Sequence, residues 1–218
     1  MTEEKKTKRM STFSVPLGLF DYINPIFYTI TSLTLIGNMK EAMGTPWHTV
    51  YFTGVLLSLI FGYAIPTGKF IVGLGLIRFV MPVIPVFLVN AGILLSGMVL
   101  IKTVFALGTV PFVIAFAVIA ALLTAVYLKT KKFNTAAVLT GAVGYLMIYI
   151  SLITMSVRAG ITLPIILYAV AVCLYLFLIM VGIKANLKDP RVHWVIEISN
   201  VVCQGCVALA TVLLFGRV

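Results

Sequence analysis

The sequence predicts an all-α integral membrane protein, a bundle of seven transmembrane helices with the N-terminus inside and the C-terminus outside. Three observations predict it. The 218 residues are 61% hydrophobic and 10% charged, whereas soluble domains are roughly a quarter charged. The apolar residues fall into seven runs near the ~20 residues needed to span a bilayer. The basic residues between the runs concentrate on alternate sides.

The runs are 22–39, 48–66, 79–101, 107–128, 133–156, 161–183 and 192–215. Short connections make neighbouring helices antiparallel. Ahead of the first run, MTEEKKTKRMSTFS is polar and basic, and no small-residue cleavage site follows the run. Residues 1–20 are therefore read as a cytoplasmic basic tail and 21–218 as one transmembrane domain. The second run carries Gly54, Ser58 and Gly62 at intervals of four, a seam where another backbone can approach. Residues 68–80 either extend the third helix or lie in the interface before it, and Pro82 and Pro85 should kink or restart that helix. The fourth run repeats Ala117, Ala121 and Ala125, and the fifth Ala136, Thr140 and Gly144. These seams can serve the chain's own bundle or a homo-oligomer. The seventh helix follows Asp189, a capping residue, and Pro190, which suits a first turn.

Orientation follows from charge. With the N-terminus inside, eleven Lys and Arg fall on inner segments: Lys5, Lys6, Lys8, Arg9, Lys69, Lys129, Lys131, Lys132, Lys184, Lys188 and Arg191. Four fall outside: Lys40, Lys102, Arg158 and Arg217. Arg78 lies near the inner end of the third helix. The net charge of +10 is thus an orientation signal. No basic helix or aromatic–basic surface points to nucleic acid. The inner membrane of a bacterium is the expected location, with membrane lipids as partners.

Known catalytic and nucleotide-binding signatures are absent, including Walker, Rossmann, nucleophile-elbow and zinc spacings. Cys203 and Cys206 form a C-x-x-C, but within a helix and without further ligands, so they read as small core residues. His48 and His193 belong to opposite interfaces and cannot share a haem. No metal or cofactor is expected. Trp47, His48 and Trp194 read as interfacial anchors.

The informative stretch is HWVIEISNVVCQG, residues 193–205. His193, Glu197, Asn200 and Gln204 lie within about 60° on one helix face. Polar groups facing lipid are costly, so the stripe must face protein or a wet cavity. No carboxylate occurs from 42 to 188, which leaves Glu197 alone within the predicted spans. Arg78, at similar depth, is the expected counter-ion. Further cavity-lining candidates are Asn90, Tyr145 and Tyr175. Asn24, beside Pro25, is another polar group in the first helix.

The stretch LLSLIFGYAIPTGKFIVGLGLIRFVMPVIPVF, 56–87, resembles a hairpin of the lysoplasmalogenase-like integral membrane family. Ser58, Gly62, Phe70, Gly73 and Leu74 carry the resemblance, with Asp189-Pro190 and Gln204 near the end of the chain. The resemblance implies a shared helical fold with a lipid-shaped cavity. It does not extend to the family's proposed catalytic aspartates. Tyr63 stands at the first place and the second falls near Phe177, while the family's histidine would align near Met81. Water activation between carboxylates needs two of them at close range. The expectation is therefore a non-hydrolytic relative that binds a lipid or other amphiphile in a cytoplasm-facing cavity, not an enzyme. The alternatives are a small-solute or ion-coupled transporter, or an accessory subunit of a membrane complex. Tyr63 joins the expected cavity residues.

Overall fold

The structure is a computed structural model that describes residues 14–75, 83–130, 133–184 and 190–216. Every element among these residues is helical: α1 (Val15–Asp21), α2 (Ile23–Met43), α3 (Thr45–Gly73), α4 (Val83–Val104), α5 (Thr109–Thr130), α6 (Phe133–Arg158), α7 (Thr162–Lys184) and α8 (Pro190–Phe215). Six of them, α3 to α8, are long and apolar enough to cross a membrane, which marks a polytopic membrane protein. The 21-residue α2 carries Lys40 and Glu41 near its end and falls outside that six.

Local chemistry sets the boundaries. Ser14 caps α1 by accepting from the Leu17 amide at 3.3 Å, with Pro16 in the first turn. The boundary expected at residue 20 thus falls inside a packed helix, and Leu17 is almost fully buried. Gly44, at φ 72°, turns the chain from α2 into α3. Residues 68–73 extend the helix of the second apolar run, rather than the third helix or an interfacial stretch before it as expected from sequence, because α3 continues through Pro66 to Gly73. A proline removes one helical hydrogen bond, and the packed apolar turns around it hold the helix together. α4 begins at Val83 with Pro85 in its first turn. Pro82 and Asp189 lie outside the described residues.

Hydroxyls inside the bundle bond to their own helices. Thr31 donates to Phe27 O, Ser151 to Met147 O, Ser156 to Leu152 O and Thr211 to Val207 O, at 2.7–3.1 Å. Burial leaves the carbonyl one turn back as the nearest acceptor for each.

The bundle packs most closely along α3, α4 and α6. A Cβ at Gly54 would lie 2.8 Å from the Gly92 carbonyl oxygen, and one at Gly144 would lie 2.6 Å from the Leu94 nitrogen. The seams of the second and fifth runs are therefore used within the chain. The alanine stripe of α5 is exposed at Ala117, Ala121 and Ala125. Leu35, Val55, Ile93, Leu100, Tyr149, Leu152 and Tyr168 form the dry centre.

At one end of the bundle, Arg158 donates to the Val104 carbonyl at 2.7 Å, capping α4, and Lys102 lies 4.6 Å above the Trp47 ring. Trp47 also packs edge-on against Phe112, so this expected anchor is a packing residue as well. At the opposite end the start of α2, the end of α3 and the start of α8 converge. The polar site lies there.

Candidate functional site

Four side chains from four helices close a ring. Lys69, in the last turns of α3, donates from Nζ to Asp21 Oδ2 and to Glu197 Oε1, each at 2.6 Å. Asn24, in the first turn of α2, donates from Nδ2 to Asp21 Oδ1 at 2.9 Å and to Glu197 Oε2 at 3.2 Å. All four carboxylate oxygens thus have a donor. Asp21, Asn24 and Glu197 are 6%, 7% and 5% exposed. Burial on this scale makes each charge dependent on its partners.

Close backbone contact holds the ring together. A Cβ at Gly18 would lie 2.8 Å from the Phe70 nitrogen, and one at Gly73 would lie 2.8 Å from the Val15 nitrogen. Only glycine permits α1 to lie this close to the end of α3, which sets Asp21 against Lys69. Phe20 adds a ring contact to Trp194 of α8, with centroids 5.6 Å apart. Burial raises the pKa of the Asp21 carboxyl, but the Lys69 ammonium and the hydrogen bonds donated to it outweigh that effect. The group is held below its ordinary value.

A cavity of about 210 Å³ adjoins the ring. Tyr28, Ser58, Gly62, Tyr145, Asn200 and Gln204 line it with the ring residues. Gln204 Nε2 donates to Tyr145 Oη at 3.2 Å, roughly 10 Å along α8 from Glu197. Behind Tyr145 stand Tyr175 and Tyr149, with centroids 4.8 and 5.9 Å away. Cys203 donates to the Ala171 carbonyl at 3.3 Å and so belongs to the core. A larger crevice of about 520 Å³ between α4, α5 and α6 is walled almost entirely by apolar side chains such as Leu94, Phe116 and Leu123.

Two features make the polar cavity rich in acceptors. Asn24 Oδ1 is buried and has no hydrogen-bond partner. Pro66 has no N–H, so the Gly62 carbonyl loses its intrahelical donor, and both residues line the cavity. Buried polar atoms in native proteins are nearly always paired, and Asn24 Oδ1 is an exception in a residue that lines the cavity.

Of the residues expected from sequence, Glu197, Asn200, Gln204 and Tyr145 line this cavity. His193 is half-buried and outside its lining. Asn90 does not reach it: its Nδ2 bonds to Val86 O, and its side chain lies against Gly141 of α6. Tyr175 sits behind Tyr145, and Tyr63 pairs with Thr29 at 3.2 Å. Arg78 lies outside the described residues, and the observed counter-ion of Glu197 is Lys69. Glu197 is also not a lone carboxylate, because Asp21, one residue ahead of the first predicted span, shares Lys69 with it. Asp21 and Lys69 were missed for one reason: each sits just beyond a predicted span, where charge is ordinary. The available signal was Asp21-x-x-Asn24, two polar groups on one face entering an apolar run.

No family model matches the chain, and comparisons with curated proteins and with solved structures also found no match.

Proposed function

We propose that this is a seven-span membrane protein with its N-terminus in the cytoplasm, and that it binds the polar part of a lipid or other amphiphile in the cavity beside the Lys69 ring. On this reading α2 is the first span. At ~1.5 Å per residue it reaches roughly 31 Å, enough for the hydrocarbon core. The eleven-to-four distribution of Lys and Arg supports the cytoplasmic placement of the cavity end and suits a bacterial inner membrane.

The observation that carries the reading is a polar cavity within an apolar bundle, lined in part by Asn24, whose buried Oδ1 has no partner. The volume suits a head group, and an attached chain can run between helices into the surrounding lipid. The resemblance to the lysoplasmalogenase-like family adds a lipid-binding precedent. Asp21 and Glu197 do not occupy that family's aspartate positions, and their oxygens are engaged by Lys69 and Asn24. That engagement supports binding rather than hydrolysis.

Native mass spectrometry of the protein released from nanodiscs tests the proposal. A retained amphiphile should be lost in Gln204→Leu and Tyr145→Ala. Release of bare protein across several lipid compositions would refute it. Turnover of a vinyl-ether lysolipid, abolished by Glu197→Gln, would overturn the non-hydrolytic part.

A second reading, a small-solute carrier, is favoured by Pro66, which removes one backbone hydrogen bond from the continuous α3 where that helix lines the cavity. Solute flux into proteoliposomes that depends on Asn24 and Glu197 would establish it in place of static binding.

A further inference from the structure

We propose that the cavity takes a ligand bearing a protonated amine in exchange for one proton, the ammonium seating among Asp21, Glu197 and Asn24 Oδ1. This rests on the ligand-binding reading and names the chemical class of the ligand.

The charge balance comes first. Among the described residues lining the cavity, the charged groups are Asp21, Glu197 and Lys69. With both carboxylates ionised the ring carries one excess negative charge, buried where solvent screening is weak. One proton shared by the carboxylates neutralises it, and so does one monovalent cation. The two are alternatives because they answer the same charge.

The hydrogen-bonding capacity points the same way. Both Asn24 Nδ2 donors are spent on the carboxylates, and Oδ1 has none of its own. The Gly62 carbonyl has lost its helical donor to Pro66. A donating ligand meets these acceptors, and an ammonium donates three times. Aromatic residues, Tyr28 and Tyr145, are among the lining as well, and ring faces attract cations.

In the exchange the ring starts with a proton on its carboxylate pair. The ammonium enters carrying its own charge, the pair releases its proton to solvent, and no covalent bond of the ligand changes. The facing groups are Asp21 on α1, Asn24 and Tyr28 on α2, Lys69 on α3, Tyr145 on α6, and Glu197 with Asn200 and Gln204 on α8.

The test uses the full chain in nanodiscs and isothermal titration with two matched pairs of probes, propylamine against propanol and dodecylamine against dodecanol. Titration runs from pH 5 to 8 in buffers of differing ionisation heat. Such amines, with pKa values near ~10, stay charged throughout. The expected result is an amine preference of at least about tenfold at pH 8. Amine affinity should fall toward tenfold per pH unit on acidification, with close to one proton released per amine bound. Binding of propylamine identifies a free amine as the source, and binding of dodecylamine alone identifies an amphiphile head group. Glu197→Gln should abolish the proton release, and Asn24→Leu should erase the preference for amine over alcohol. Equal binding of alcohol and amine, or amine affinity flat with pH, overturns the proposal. Equal binding of the two dodecyl probes would leave the amphiphile reading standing. Binding of propylamine with no amphiphile bound would remove that reading and keep this one. The wild-type comparisons decide the matter even where a variant fails to fold.

Discussion

The glycine seam of α3, α4 and α6 and the charged ring of α1, α2, α3 and α8 both hold helices together, by opposite means. At the seam, Gly54, Gly92 and Gly144 bring backbones into direct contact. Where those glycines meet, no side chain stands between the helices. In the ring, four polar side chains bind the helix ends, yet Asn24 Oδ1 stays unpaired and the charges do not balance. A purely structural joint satisfies all its groups. The ring leaves an acceptor and a charge open beside a cavity, and the proposed ligand site rests on that difference.

The largest expected effect breaks the ring. Lys69→Met leaves two facing carboxylates without their cation and should destabilise the protein by about 3 kcal/mol at neutral pH, as for other broken buried pairs. Protonation relieves the repulsion, so the loss should shrink toward pH 5 in thermal melts. Adding Glu197→Gln should recover part of it, and strict additivity of the two changes would mean that the ring is not coupled.

Next comes the seam. Gly144→Val places a branched side chain against the Leu94 backbone and should cost about 2 kcal/mol, seen as a lowered melting temperature. It should leave the affinity of any cavity ligand unchanged in the folded fraction. A change in affinity would show that the seam and the cavity are one unit.

A third test uses pH. The Asp21 carboxyl is held below its ordinary pKa, so its stabilising contribution is present above the unfolded-state value. It is lost as pH falls through the folded-state value. The melting temperature of wild type should exceed that of Asp21→Asn at pH 7, and the gap should close as pH falls below the ordinary carboxylate range. A gap independent of pH would assign the difference to packing instead.

The smallest effects lie away from both regions. Tyr168→Phe removes a 2.9 Å hydrogen bond to Thr211 between α7 and α8 and should cost about 1 kcal/mol. Ala121→Leu, on the exposed face of α5, should shift stability by no more than about 0.5 kcal/mol. A large effect of Ala121→Leu on oligomeric state would show that the alanine stripe meets a second copy.

Hydropathy and burial separate sharply within this bundle. The spans of α4 and α5 have mean hydropathies of 2.3 and 2.5, yet 44% of the first is buried in the protein and only 6% of the second. A lipid tail is as apolar as leucine, so composition cannot say which helix faces lipid. Spacing says more: the glycines of α3 and α6 permit backbone contact, while the alanines of α5 leave room but do not compel it. The site divides in the same way. Glu197, Asn200 and Gln204 were legible because polar groups at helical spacing in an apolar run must share a face. Asn90 was misread because a single amide can satisfy itself on its own helix, as it does at Val86 O.

The sequence by itself determined that the chain crosses a membrane repeatedly and that one face of its last helix is polar. Both follow from periodicity and from the cost of polar groups in hydrocarbon, which act along a single helix. Only the tertiary structure decided that Asp21, at the edge of a basic tail, and Lys69, at the end of α3, complete that face. Their meeting depends on Gly18 and Gly73 letting α1 lie against α3. Contacts of that kind join residues 48 and 128 positions apart, and no local spacing encodes them.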